Sequence, residues 1–152
     1  MTNALKNALT SVVSPLLRRP KRLQVAALCY RQDGPQKKVL LITSRDSGRW
    51  VVPKGWPIDG LDAAGAAMQE AGEEAGVTKG DIDPTSIGSF EYDKQLDNGA
   101  EVAVETKVFA VEVEKMKDEF PEADERTLKW VAPEEAAQMV QEPGLQSILR
   151  QL

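Results

Sequence analysis

Trp50 to Val77 reads WVVPKGWPIDGLDAAGAAMQEAGEEAGV. Within it Glu70, Glu73 and Glu74 stand at i, i+3 and i+4. On a helix such positions are neighbours, about 5–6 Å apart at Cβ, and like charges there repel. No Lys or Arg occurs between Lys54 and Lys79, so the compensating charge has to come from elsewhere. A divalent cation with oxygen ligands would supply it. A solvated acidic face is the alternative for any glutamate cluster taken alone.

Ala64, Met68, Ala71 and Ala75 recur at helical spacing beside the glutamates and predict an apolar stripe that packs on a sheet. Gly76 suits a left-handed C-cap. Upstream, Trp50-Val51-Val52-Pro53 reads as extended, and Gly55 permits a tight turn. Strand, glycine turn, loop and acidic helix therefore follow one another. Neutralising a single glutamate of the cluster is expected to relieve repulsion and stabilise the fold.

The rest of the chain sets bounds. It has 152 residues, of which 41% are hydrophobic, which suits one domain with one core. A net charge of −5 argues against a nucleic-acid-binding surface. Cys29 is the only cysteine and there is no histidine. That excludes an internal disulfide and Ser-His or Cys-His catalysis, and leaves carboxylates as acid–base groups. Residues 1–20 read as a tail or short helix, with no signal peptide, and 21–152 as the domain.

Strands are predicted over Leu23–Arg31, Lys38–Ser44, Trp50–Pro53, Thr85–Asp93, Glu101–Glu114 and Arg126–Val131. In Glu101–Glu114, Val102, Val104, Thr106, Val108 and Ala110 share one face. Pro133 opens a helix with Ala136, Met139 and Val140 on its apolar side. Pro143-Gly144 breaks it, and Leu145–Leu152 forms a last helix. The mixture predicts a mixed sheet covered by helices. Arg45, Arg49 and Lys54 cluster at strand ends near the acidic turn, as surface charges or as a phosphate clamp.

The stretch resembles the Nudix hydrolases. Their box runs Gly, five residues, Glu, seven residues, Arg-Glu, an aliphatic residue, any residue, Glu-Glu, any residue, Gly, and an aliphatic residue. With Gly55 as its first glycine, Glu70, Ala71, Glu73, Glu74, Gly76 and Val77 fall in register. Leu61 stands where the family has its first Glu, and Gln69 where it has Arg. The flanks are similar to the diphosphoinositol polyphosphate phosphohydrolase branch: Lys21-Arg22, Leu41–Arg45, Arg49–Pro53 and Arg126–Trp130.

The resemblance implies an α/β fold, the Nudix αβα sandwich with a mixed β-sheet. It implies a cytoplasmic, Mg²⁺-dependent pyrophosphohydrolase, with Mn²⁺ a substitute, that cleaves a phosphoanhydride in a diphosphoinositol or dinucleoside polyphosphate. Glu70 and Glu74 would be metal ligands, and Glu73 a further ligand or the base. The Gly55 carbonyl and a late Glu, Glu122 or Glu125, would add ligands. Arg45, Arg49 and Lys54, with Lys21, Arg22 and Arg126, would meet the substrate phosphates. Trp56 would stack on a substrate or pack over its loop, and Trp50 and Trp130 would lie in the core. Leu61 and Gln69 would replace an ionic brace. The partner is then a small anionic diphosphate or polyphosphate, with no nucleic acid and no membrane, and the protein a monomer or homodimer. The alternative, favoured by Leu61 and Gln69, is a Nudix-fold binding or regulatory module with weak or no catalysis.

Overall fold

The computed structural model describes residues 21–152, so the reading of 1–20 lies outside the described residues. In chain order come β1 (Arg22–Asp33), β2 (Gln36–Thr43), β3 (Trp50–Val51), β4 (Lys54–Gly55), α1 (Ala63–Ala75), β5 (Val77–Ile82), β6 (Gly88–Gln95), β7 (Glu101–Met116), a short 3₁₀ turn (Ala123–Glu125), β8 (Leu128–Val131), α2 (Pro133–Met139) and α3 (Pro143–Arg150). The strands form one mixed sheet. Its spine is a parallel pair, β1 beside β7 from Arg22↔Val104 to Tyr30↔Glu112. On its other side β1 meets β2 and β4, both antiparallel. β7 meets β6 and then β5, also antiparallel.

Helices cover both faces because β1 and β2 are apolar on both. Val25, Ala27, Cys29, Leu40 and Ile42 pack with α1. Ala26, Leu28, Val39 and Leu41 pack with α2 and α3, through Ala136, Ala137, Leu145 and Leu149. This is the expected αβα sandwich. In α1 the buried alanines include Ala64, Ala66, Ala67, Ala71 and Ala75. Ala67 is fully buried, while Met68 lies beside the stripe, only partly buried. Alanines allow the helix to lie close on the strands. No helix among the described residues is long and apolar enough to cross a membrane.

Several expectations change in detail. Gly55 makes no tight turn: Lys54 and Gly55 bridge to Ala26 and Val25 of β1, and Gly55 is not among the glycines with positive φ. β5 was not read as a strand, because VTKGDI carries charge and glycine amid its apolar residues. β7 buries Val104, Thr106 and Val108 on the α2/α3 side, then Phe109 and Val111 on the α1 side. Its covered face changes because β6 and α3 accompany its first half, and β5 and α1 its second. Pro143-Gly144 does not break α2, which ends at Met139; it opens α3. Trp50 and Trp130 pack against the core while remaining partly exposed.

Asp62 caps α1 by accepting a 2.7 Å hydrogen bond from the Gly65 N–H. Gly76 ends it at φ 77°. A Cβ on Gly76 would stand 2.3 Å from the Lys117 carbonyl oxygen. Gly76→Ala therefore combines left-handed backbone strain with overpacking, and should lower stability by about 2–4 kcal/mol, read as a shifted midpoint in urea unfolding.

Candidate active site

A cleft of about 300 Å³ opens where β4, α1 and the loop before β8 converge. All three box glutamates line it, with Gly55, Arg45, Lys54 and Arg126. Glu74 lies deepest, only 7% exposed. Its Oε2 accepts from the Lys54 backbone N–H at 2.8 Å, and its Oε1 from Arg126 Nη2 at 2.7 Å. Arg126 is also buried, and donates to Glu122 at 3.0 Å and to the Thr43 carbonyl at 2.7 Å. Its Nε is buried with no partner.

Glu70 has no such partner among the described residues. A Cβ on Gly55 would stand 2.4 Å from the Glu70 carboxyl carbon. Glycine here lets the Glu70 carboxylate lie close against the main chain, and makes no turn. Glu73 accepts from Gln69 Nε2 at 3.1 Å, and its carbonyl accepts from the Glu122 N–H. Gln69 thus spends its amide on Glu73, and Leu61 is 45% exposed; neither makes an ionic brace.

Burial is the main cause that raises Glu70, to about 7, followed by the charges of Glu74 and Glu73. Burial also raises Glu74, against the opposing pull of Arg126 and the Lys54 N–H. Burial lowers Lys54 to about 8, opposed by Glu74 and Glu142 and assisted by Arg49 and Lys94.

The expected cations separate. Arg45, at the mouth, pairs with Glu122 at 3.2 Å and Glu125 at 3.4 Å. Arg49 lines a neighbouring depression and pairs with buried Glu142 at 2.5 Å. Arg22 stacks over the Trp56 ring at 4.8 Å, so one face of that indole is taken, and Lys21 pairs with Glu91. Of the late glutamates, Glu122 lines the cleft and Glu125 does not. Gln24, Tyr92, Lys94 and Glu142 were absent from the sequence reading. Nothing local marks them: strand pairing brings Gln24, Tyr92 and Lys94 near, and Glu142 enters from the loop between α2 and α3. Among the described residues no three carboxylates already stand as a closed metal cage.

Residues 20–152 match the NUDIX domain. The chain belongs to the Nudix family, a class of hydrolases that act on phosphorus-containing acid anhydrides. Within it the sequence is similar to Bos taurus diphosphoinositol polyphosphate phosphohydrolase 3-beta, 28% identical over 120 residues, covering 78% of this chain and 68% of that one. The fold is similar to that of C. elegans Ap4A hydrolase, at TM-score 0.62 and 21% identity, covering 86% and 95% of the two chains. It is also similar to the NUDIX domain of Shewanella oneidensis NrtR complexed with ADP ribose, at TM-score 0.57 and 19% identity, covering 97% and 95%.

Burial and the neighbouring carboxylates push Glu70 up to about 7 in the folded protein, above its ordinary value of 4.5. Between those values the unfolded chain has lost a proton that the fold retains, so stability falls as pH rises. With chelator present, the melting temperature should drop between pH 5 and 7.5. Glu70→Gln should flatten that drop, and saturating Mg²⁺ should oppose it. Glu74→Gln, by contrast, leaves buried Arg126 short of a charge. The relief expected from lower repulsion is then outweighed, and the variant should lose about 1–3 kcal/mol, measured by chemical denaturation.

Proposed function

We propose that the chain is a Mg²⁺-dependent pyrophosphohydrolase that cleaves a phosphoanhydride in a diphosphoinositol polyphosphate or dinucleoside polyphosphate. The observation that carries this reading is Glu70 against Gly55: a half-buried carboxylate with no ion pair among the described residues fills the space that the absent Gly55 side chain leaves beside the main chain. A carbonyl and carboxylates are hard oxygen donors suited to Mg²⁺. Glu70 and the Gly55 carbonyl would hold the cation with Glu73, and Glu74 would join as Arg126 yields one of its oxygens. Glu122 is the late glutamate that fits.

The cation supplies neutralisation of phosphate charge and activation of water. The chain's own residues supply position. Lys54 and Arg126 flank the carboxylates and would hold the phosphates in line. Arg45 at the mouth would meet an incoming anion first. Glu73, on the exposed side of α1, is the candidate base, with Gln69 fixing one of its oxygens. Most of the rate in such chemistry comes from positioning and fixed charge.

A second reading is a binding module with weak or no catalysis. Arg126 seated on Glu74 and the altered Leu61 and Gln69 favour it. Phosphate release from a panel of diphosphates, with and without Mg²⁺, separates the two. Turnover with Mg²⁺ supports the enzyme, and Glu70→Gln should cut kcat by about 100-fold.

Diphosphoinositol or dinucleoside polyphosphate substrates should show a higher kcat/KM than ADP-ribose. Arg45→Ala should raise KM more for the highly charged substrate, and added salt should narrow the gap. ADP-ribose clearly ahead in side-by-side kinetics would reverse the substrate choice.

A further inference from the structure

The depression beside the cleft, about 420 Å³, shares Ser44, Asp46, Lys54 and Lys94 with it. Cations around the two hollows fall into two sets. Arg45, Arg49 and Arg126 each meet a glutamate. Lys54 and Lys94 enter no ion pair among the described residues. Both are half-buried, and both belong to the wall that the two hollows share.

Their placement is built rather than incidental. The Lys54 ammonium lies 5.3 Å from the centre of the Tyr92 ring. An aromatic face attracts a cation but leaves its charge in place. Tyr92 is fixed by a hydrogen bond from its hydroxyl to Gln24 Oε1, and Gln24 is itself buried. Lys94 follows two residues along β6, so it leaves the strand on the same face as Tyr92. Asp46, Asp93 and Asp97 also line the depression. All three are exposed, where water and salt screen them more than they screen the lysines.

We propose that Lys94, together with Lys54, forms a second anion subsite that takes the phosphate next beyond the cleaved anhydride. The proposal rests on the function given above and narrows it. The ligand class is a run or cluster of three or more phosphates, which can reach both hollows, rather than a lone diphosphate. Lys94 is then a specificity-determining residue. Arg49, already neutralised by Glu142, shapes the depression without adding free charge.

Calorimetric titration of the full chain in EDTA with pyrophosphate and with tripolyphosphate tests this without turnover. Wild type should bind tripolyphosphate more tightly. Lys94→Gln should weaken tripolyphosphate by about fivefold, as for one charge-assisted contact in a half-exposed setting, and pyrophosphate by less than about twofold. Lys94→Arg should retain wild-type affinity, and Lys107→Gln, which removes an equal charge elsewhere on the sheet, should change neither ligand. Equal weakening of both ligands by Lys94→Gln, an equal effect of Lys107→Gln, or no preference for tripolyphosphate in wild type would overturn the subsite. Failure to hydrolyse any anhydride would defeat the enzymatic reading instead, because these affinities are read without catalysis.

Discussion

The Glu74 carboxylate joins three separate pieces of the chain. From the inner side of α1 it accepts the Lys54 N–H of β4 and the Arg126 guanidinium of the loop before β8. Arg126 carries the link onward to the Thr43 carbonyl at the end of β2. A carboxylate this deep is tolerated only because both oxygens are satisfied and a charge opposes it. The floor of the cleft is therefore tied together by polar bonds at a place where the alanine face of α1 supplies no bulk.

That arrangement divides the charges of the site into two sets. The arginines are paired with Glu74, Glu122, Glu125 and Glu142. Among the described residues Glu70, Glu73, Lys54 and Lys94 enter no ion pair. The two departures from the family box fit the same frame. Gln69 turns to Glu73 and Leu61 toward solvent, while the Asp62 cap anchors the acidic helix at its start and Glu74 and Gly76 anchor its last turn.

The sandwich and the acidic helix were legible because their signals are local: alanines at helical spacing, a capping glycine, and strands apolar on both faces. Glu70, Glu73, Glu74, Lys54 and Arg126 were legible through the spaced box and its flanks. The parallel pairing of β1 with β7 was not, since two strands far apart in sequence carry no mark of their neighbour. Gln24, Tyr92 and Lys94 reach the site through that pairing and through β6, and so escaped a reading by spacing. Gly55 was recognised for a wrong reason. A glycine that lies against a neighbouring carboxylate looks, in sequence, like one that makes a turn. Cations that seemed to form one cluster were divided by partners such as Glu142 and Glu91, which only the folded chain brings near.

The β1–β7 pair also bears on the order in which the molecule can be assembled. Arg22 faces Val104 and Tyr30 faces Glu112, so the middle of the sheet joins strands that lie far apart in the chain. Contacts of such sequence separation are reached late and slow the search for the native state. On a ribosome, β1, β2 and α1 emerge well before β7. The alanine stripe of α1 and the apolar faces of β1 then lack one of their main neighbours until residue 112 has cleared the exit tunnel. The stretch from β1 to α1 is thus the part of the nascent chain with most need of shielding: β1 gains β7 first, and its other face waits for α2 and α3.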